Sequence, residues 1–238
     1  MKFQRLYKDL APYYDLVYEK KEYKKEAEEI HKLIQKHKKT KGKELLEVAC
    51  GSGRYLEHLK KKYKVTGLDL NKDMLKIARK KCPGVPLVQG NMISFDLKKE
   101  FDVVCCLFSS IGYAKTYSGL KKAVKTLTDH LKSGGVVVIE PFLTRKDWVN
   151  GKPHANFIDK PDVKIVRMNV AKSRGNVAIL DFNYLIATKK GIEHLTDRHE
   201  LGLFDTGRII EILRDNGICA KEFPGPKKST RVRIVGVK

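Results

Sequence analysis

Acidic residues are scarce in this chain. Twenty-eight Asp and Glu stand against 49 Lys and Arg, a formal net charge of +21 over 238 residues. Such an excess raises nucleic acid or another anion as a partner. Lysine far outnumbers arginine, however, and much of it is mixed with glutamate, as in KKEYKKEAEEIHKLIQKHKK over residues 20–39. That pattern reads as a solvated helix face, and Lys/Glu enrichment fits a thermophile. Long apolar runs are also missing. The longest, Phe101–Phe108 and Val136–Ile139, are strand-sized, so no membrane span is expected. The opening MKFQRLYKDLAPYYD has no signal-peptide core, which makes a cytoplasmic protein the expectation.

Cysteines are few and unpaired in pattern. Cys50, Cys82, Cys105, Cys106 and Cys219 make an odd set with no C-x-x-C, which excludes a disulfide framework and a zinc ribbon. Adjacent Cys105 and Cys106 read as core filler on opposite faces of a strand. His194 and His199 lie five apart on a predicted strand and face opposite sides, unlike H-E-x-x-H on a helix, so they read as solvated or locally bonded and no metal is expected. The single tryptophan, Trp148, beside Arg145 and Lys146, reads as a loop anchor rather than a base-stacking platform.

What is present is alternation. Residues 20–39 have a helical stripe in Ala27, Ile30, Leu33 and Ile34, with Gly42 as the stop. Short apolar strands at 44–49, 64–70, 85–89, 101–108 and 136–140 are separated by helical stretches at 54–62, from Asn71 on, and at 118–131. This is the pattern of a doubly wound parallel sheet. After Pro141 the period changes to two, over 163–170, 176–187 and 192–203, which predicts an antiparallel insertion at 142–200. A helix capped by Asp205 or Thr206 and closed at Gly217, then strands at 218–223 and 231–237, complete the chain.

Four stretches carry chemistry. LLEVACGSGRYLEHL (45–59) is strand, glycine turn, helix. Gly51 and Gly53 allow a tight turn and close approach of a ligand to a helix N-terminus. The third glycine of a dinucleotide loop is missing, with Leu56 in its place, which weakens a pyrophosphate site. Asp69 ends the second strand, 18 residues beyond Gly51, where a carboxylate accepts both hydrogen bonds of a ribose diol; an N-cap is the plainer alternative. QGNM (89–92) offers a polar side chain to an adenine amino group, or is a simple turn. In FDVVCCLFSSIGY (101–113), Phe108 can pack on a flat ring, and Ser109, Ser110 and Tyr113 can line an acceptor pocket.

Together these motifs resemble the class I S-adenosylmethionine (SAM)-dependent methyltransferases. EVACGSG is similar to their first motif, with Ala49 at the usual first glycine, GLDLNKDML to their ribose motif, and LKSGGVVVIEP to the turn into their fifth strand. More narrowly, YYDLVY, VACGSGRYLEHL, GLDLNKDMLKIARK, LFSSIGY, GGVVVIEPF, HELGLF and GPKKSTRVRIVGV resemble, in order, the N,N-dimethyltransferases of nucleotide-linked aminosugars from macrolide deoxysugar pathways. The chain departs from that pattern at Tyr113, where the family often has His, at Phe142 and Leu143 after Pro141, and in PKKSTRVRI.

The resemblance implies an α/β, Rossmann-like class I fold in one domain over 1–238: a mostly parallel seven-stranded sheet with helices on both faces, and the antiparallel insertion covering the acceptor site. It implies SAM as cofactor and S-adenosylhomocysteine as product, held by Tyr14, Glu47, Ala49, Cys50, Gly51, Gly53, Asp69, Leu70, Met74, Asn91, Met92, Phe108 and Ser109. Tyr14 and Tyr113 are the candidates for orienting the acceptor. The expected reaction is methyl transfer to a small-molecule amine, aminosugar-like and anionic, by a homodimer. The alternatives are an RNA or protein methyltransferase using the basic surface, and a SAM-binding regulator. No Asp/Asn-Pro-Pro-Tyr run and no Pro-Cys pair follows the fourth strand, which sets aside the DNA amino- and cytosine C5-methyltransferases.

Overall fold

The computed structural model describes residues 4–226 and 231–238. Part of the PKKSTRVRI segment, residues 227–230, lies outside the described residues, as do the first three. The chain opens with a 3-10 turn at Arg5–Tyr7 and two helices, α1 (Ala11–Val17) and α2 (Tyr23–His37). The expected alternation follows: β1 (Glu44–Val48), α3 (Leu56–Leu59), β2 (Lys64–Asp69), α4 (Lys72–Lys81), β3 (Leu87–Gln89), β4 (Phe101–Cys106), α5 (Tyr117–Asp129) and β5 (Leu131–Ile139). Next come β6 (Pro153–Asp159), β7 (Val163–Val170), β8 (Lys172–Arg174), β9 (Val177–Thr188) and β10 (Gly191–Gly202). The chain ends with α6 (Thr206–Asp215), β11 (Cys219–Pro224) and β12 (Val232–Val237).

Seven strands form one sheet in the order β11-β12-β5-β4-β1-β2-β3. The five from β1 to β5 are parallel; β12 runs antiparallel to both β5 and β11. Every residue of β4 is buried, because helices cover both faces of the central strands. On one face α2 and α3 pack Ile30, Ile34 and Leu56 against Leu45, Val103 and Cys105. On the other, α5 and α6 pack Leu120, Leu127, Ile209 and Leu213 against Leu46, Val104 and Cys106. The two cysteines therefore fill opposite halves of the core. The remaining strands, β6 to β10, make a separate antiparallel sheet in the order β10-β9-β7-β6, with β8 paired to β9. The N-terminal turn and α1 sit between the sheets: Leu6, Leu10 and Tyr14 pack with Met74 of α4 and with Ile158, Ile165 and Tyr184 of the second sheet.

Several local expectations change. Gly42 does not stop a helix: α2 ends at His37, and a Cβ on Gly42 would lie 2.3 Å from the Asp102 carboxylate, so glycine is needed for close approach. Asn71 occupies the N-cap of α4, but its side chain makes no cap bond. In α6 the sequence stripe of Ile209, Ile210 and Leu213 suggests the inward face; the structure buries Ile209, Ile212 and Leu213 and leaves Ile210 only half-buried. β6 has no counterpart in the expected pattern. It is an edge strand with one buried residue, Ile158, so it shows no alternation to read. Trp148 anchors its loop as expected, buried against Phe142 and donating from Nε1 to Asn150.

Candidate active site

A cavity of about 610 Å³ opens at the carboxyl ends of the parallel strands, where open α/β sheets place ligands. Three parts of the chain enclose it. Ala49, Gly51, Asp69, Asn91 and Met92 line it from the loops after β1, β2 and β3. Tyr7, Tyr14 and Tyr18 enter from the N-terminal segment, and Phe142, Leu180, Phe182, His199 and Leu201 from the far side.

The loop after β1 turns through left-handed residues, with φ of +59° at Ala49, +55° at Gly51 and +78° at Gly53. Alanine in that region carries steric cost that glycine avoids, and strain of this kind gathers at ligand sites. Asp69 fixes the turn: Oδ2 accepts the Gly51 N–H at 2.8 Å and Oδ1 the Asn71 N–H at 2.8 Å. Burial raises the Asp69 carboxyl above its ordinary range, while those backbone donors pull it back down. The carboxylate so held lines the cavity at the end of β2.

The loop after β4 is strained in the same way. Phe108 and Ser109 have φ of +50° and +66°. Glu140, just past β5, holds the turn: its Oε2 accepts the Phe108 N–H at 2.9 Å and its Oε1 the Arg233 Nε–H at 2.7 Å.

Eleven of the residues expected at the site line the cavity: Tyr14, Ala49, Gly51, Asp69, Leu70, Asn91, Met92, Phe108, Ser109, Ser110 and Tyr113. Four sit behind its surface. Met74 packs beneath Gly51, Gly53 against Ala78, and Cys50 against Gly67. Glu47 is fully enclosed, and its Oε2 has no hydrogen-bond partner among the described residues. Burial first, then the charges of Asp69 and Glu140, raise its carboxyl far above the usual range. Asn91 already spends one lone pair of Oδ1 on the Ile93 N–H at 3.2 Å.

Burial also pushes the phenols of Tyr7, Tyr14 and Tyr113 well above their ordinary value, so all three stay protonated near neutrality. Tyr113 is not isolated. Its hydroxyl lies 2.7 Å from that of Tyr7 and 2.6 Å from His199 Nδ1, and His199 Nε2 lies 2.7 Å from Asp197 Oδ2. The sequence did not single out Tyr7 or Asp197, and it read His199 as solvated or locally bonded; the ring is locally bonded at both nitrogens. The signal was there: Asp197 and His199 are two apart on a strand, so they share a face. His194 is on the other face, exposed and bonded to Asn183.

The residues present fit SAM. A strained glycine loop allows close approach, a carboxylate ends β2, and an orphaned buried carboxylate behind the loop suits the cationic amino group of an amino acid. When bound, SAM supplies a sulfonium-activated methyl group.

Comparison with known proteins agrees. Residues 45–135 match the family model described as a methyltransferase domain. Over 96% of its length the chain is 37% identical to the dTDP-3-amino-3,4,6-trideoxy-alpha-D-glucopyranose N,N-dimethyltransferase of Streptomyces venezuelae, covering 98% of that protein. The crystal structure of Streptomyces venezuelae DesVI superposes with a TM-score of 0.89 at 34% identity, covering 96% of this chain and 98% of that one. The SAM-bound structure of CalS10, an amino pentose methyltransferase from Micromonospora echinaspora, gives 0.83 at 26% identity and 92% of both chains. With its strand order, its glycine loop and Asp69 in place, this chain belongs to the class I SAM-dependent methyltransferases, within the family of the nucleotide-linked aminosugar N,N-dimethyltransferases.

Proposed function

We propose that this enzyme moves methyl groups from SAM to the amine of a nucleotide-linked aminosugar. The observation that carries this reading is the two-sided cavity. One side holds the strand-end loops suited to SAM; the other is walled by Phe142, Leu180, Phe182 and Leu201, enclosing space for a small acceptor. In the donor half, Asp69 takes the ribose diol, Glu47 lies behind the amino-acid end, and Asn91, Met92 and Phe108 flank the adenine. In the acceptor half, Tyr14 and Tyr113 orient the sugar. The relatives' names support the acceptor class: theirs are dTDP-linked aminosugars.

A cytoplasmic location suits the free cysteines. A homodimer fits the outer face of the second sheet, where Phe157, Met168, Val170 and Leu185 are exposed.

The test is SAM calorimetry, with Asp69→Ala as control, followed by mass spectrometry of dTDP-linked 3-amino- and 4-amino-sugars. SAM binding lost in the variant, with one or two methyl groups added to a sugar, is the expected result. RNA binding that collapses with salt, and no sugar product, would replace this reading with an RNA methyltransferase.

A further inference from the structure

Methyl transfer to an amine needs an unprotonated nitrogen. A sugar ammonium ion must lose a proton before its lone pair can attack, and each methylated product sheds one more. A proton acceptor on the cavity wall would let that loss occur on the enzyme rather than in solvent. The tyrosines do not serve alone, because their phenols are buried and protonated.

The hydrogen-bond directions around His199 follow from its partners. Asp197 is buried; its Oδ1 accepts the Arg5 N–H at 2.7 Å, and its Oδ2 accepts the Leu6 N–H at 2.9 Å. A carboxylate so solvated stays an acceptor. The 2.7 Å contact thus requires the hydrogen on His199 Nε2, which leaves Nδ1 of the neutral ring as a bare base. Tyr113 then donates its hydroxyl hydrogen to Nδ1, and Tyr7 donates to the Tyr113 oxygen. One lone pair of that oxygen remains, and Tyr113 lines the cavity.

Resting on the N-methyltransfer reading, we infer that His199, oriented by Asp197 and reached through Tyr113, is the proton acceptor for the substrate amine. The step balances. The ammonium N–H proton passes to the Tyr113 oxygen as the Tyr113 hydroxyl proton passes to His199 Nδ1. The amine keeps the N–H bonding pair as its lone pair, and the proton ends on an imidazolium paired with Asp197. Release of that proton to water resets the relay. His199 and Asp197 act through Tyr113 and are positioning residues. The two backbone bonds to Asp197 come from the N-terminal turn that also carries Tyr7, so seating that segment assembles the relay.

The titratable groups facing His199 are Asp197 on its own strand, Tyr7 from the N-terminal turn and Tyr113 from the turn after β4. From β9 it meets the Phe182 ring, with the Arg167 guanidinium stacked over that ring. Arg198 and Glu200 alternate to the other side of β10 and pair with Asp181 and Lys115.

His199→Asn keeps an acceptor near Nδ1 but removes the base; Tyr113→Phe keeps the base and cuts the link. Both variants should bind SAM as the wild type does. Both should lower kcat at neutral pH by roughly 10- to 100-fold, His199→Asn with KM little changed, and both should recover toward the wild-type rate as rising pH deprotonates the amine in solvent. A merely structural loss would not recover with pH. Independently of turnover, imidazole 15N NMR of the SAM-free protein should show the neutral His199 ring, assigned by its loss in His199→Asn, with Nε2 protonated and Nδ1 bare. A neutral ring protonated on Nδ1, or variants with wild-type kcat at neutral pH, would overturn the relay. A wild type that methylates no aminosugar would sink the acceptor reading instead, while the NMR result would still stand.

Discussion

At the scale of single residues, the site runs on buried polar groups whose partners are only partly supplied by the protein. Glu47 is the extreme case, with one oxygen unpaired in the interior. Its folded-state carboxyl is raised by burial, then by Asp69 and Glu140. A raised carboxyl stabilises the fold below the unfolded value of about 4.3 and loses that contribution as pH climbs through the raised value. The SAM-free protein should therefore lose melting temperature as pH rises from about 5 to 8. Glu47→Gln, neutral throughout, should flatten that slope in differential scanning fluorimetry. The same variant should weaken SAM binding roughly 10- to 100-fold, as expected for losing a charge-assisted bond of about 1.5–3 kcal/mol. An unchanged slope would mean the carboxyl is not forced neutral by its surroundings.

At the scale of elements, one side chain ties three of them together. Arg233 of β12 is 2% exposed, donates from Nε to Glu140 at the end of β5, and from Nη1 to Glu29 of α2 at 2.9 Å. Removing it leaves Glu140 charged and buried without its cation, which costs about 3–5 kcal/mol. At about 2–4 °C per kcal/mol for a chain this long, Arg233→Met should melt roughly 10 °C lower. Glu140 also holds the Phe108 N–H, so the damage should reach the cavity and weaken SAM binding beside the loss of stability. A melting temperature within a degree or two of wild type would show that the strand ends hold without the pair.

At the scale of the whole molecule, the excess of 21 positive charges sets the solution behaviour. Many surface lysines have acidic partners, such as Lys62 with Glu28 and Lys160 with Glu19, but exposed pairs of this kind contribute about 0–1 kcal/mol each. The unpaired remainder repels itself across the surface. Raising ionic strength from low salt to about 0.5 M shortens the screening length to a few ångströms. Melting temperature should therefore rise with sodium chloride. A fall would mean that ion pairs outweigh repulsion on this surface.

The sequence by itself determined the layered sheet, because hydrophobic period and burial are local properties. A fully buried β4, a striped α2 and α5, and glycines at 51 and 53 allow few other arrangements. It also brought Gly51 and Asp69 together at the cavity, since they are joined by one helix and one strand and so keep their spacing in the fold. Gly42 and β6 were misread or unread for a local reason: the first is needed by a distant Asp102, and the second is an edge strand without alternation. Tertiary structure alone decided the far wall of the cavity. Tyr7, Tyr113 and His199 come from the N-terminal turn, a loop and the last strand of the insertion, and nothing local in any of them specifies the others. Their hydrogen-bonded chain exists because β10 carries Asp197 to the backbone of Arg5 and Leu6, a contact across nearly the whole length of the chain that no sequence period encodes.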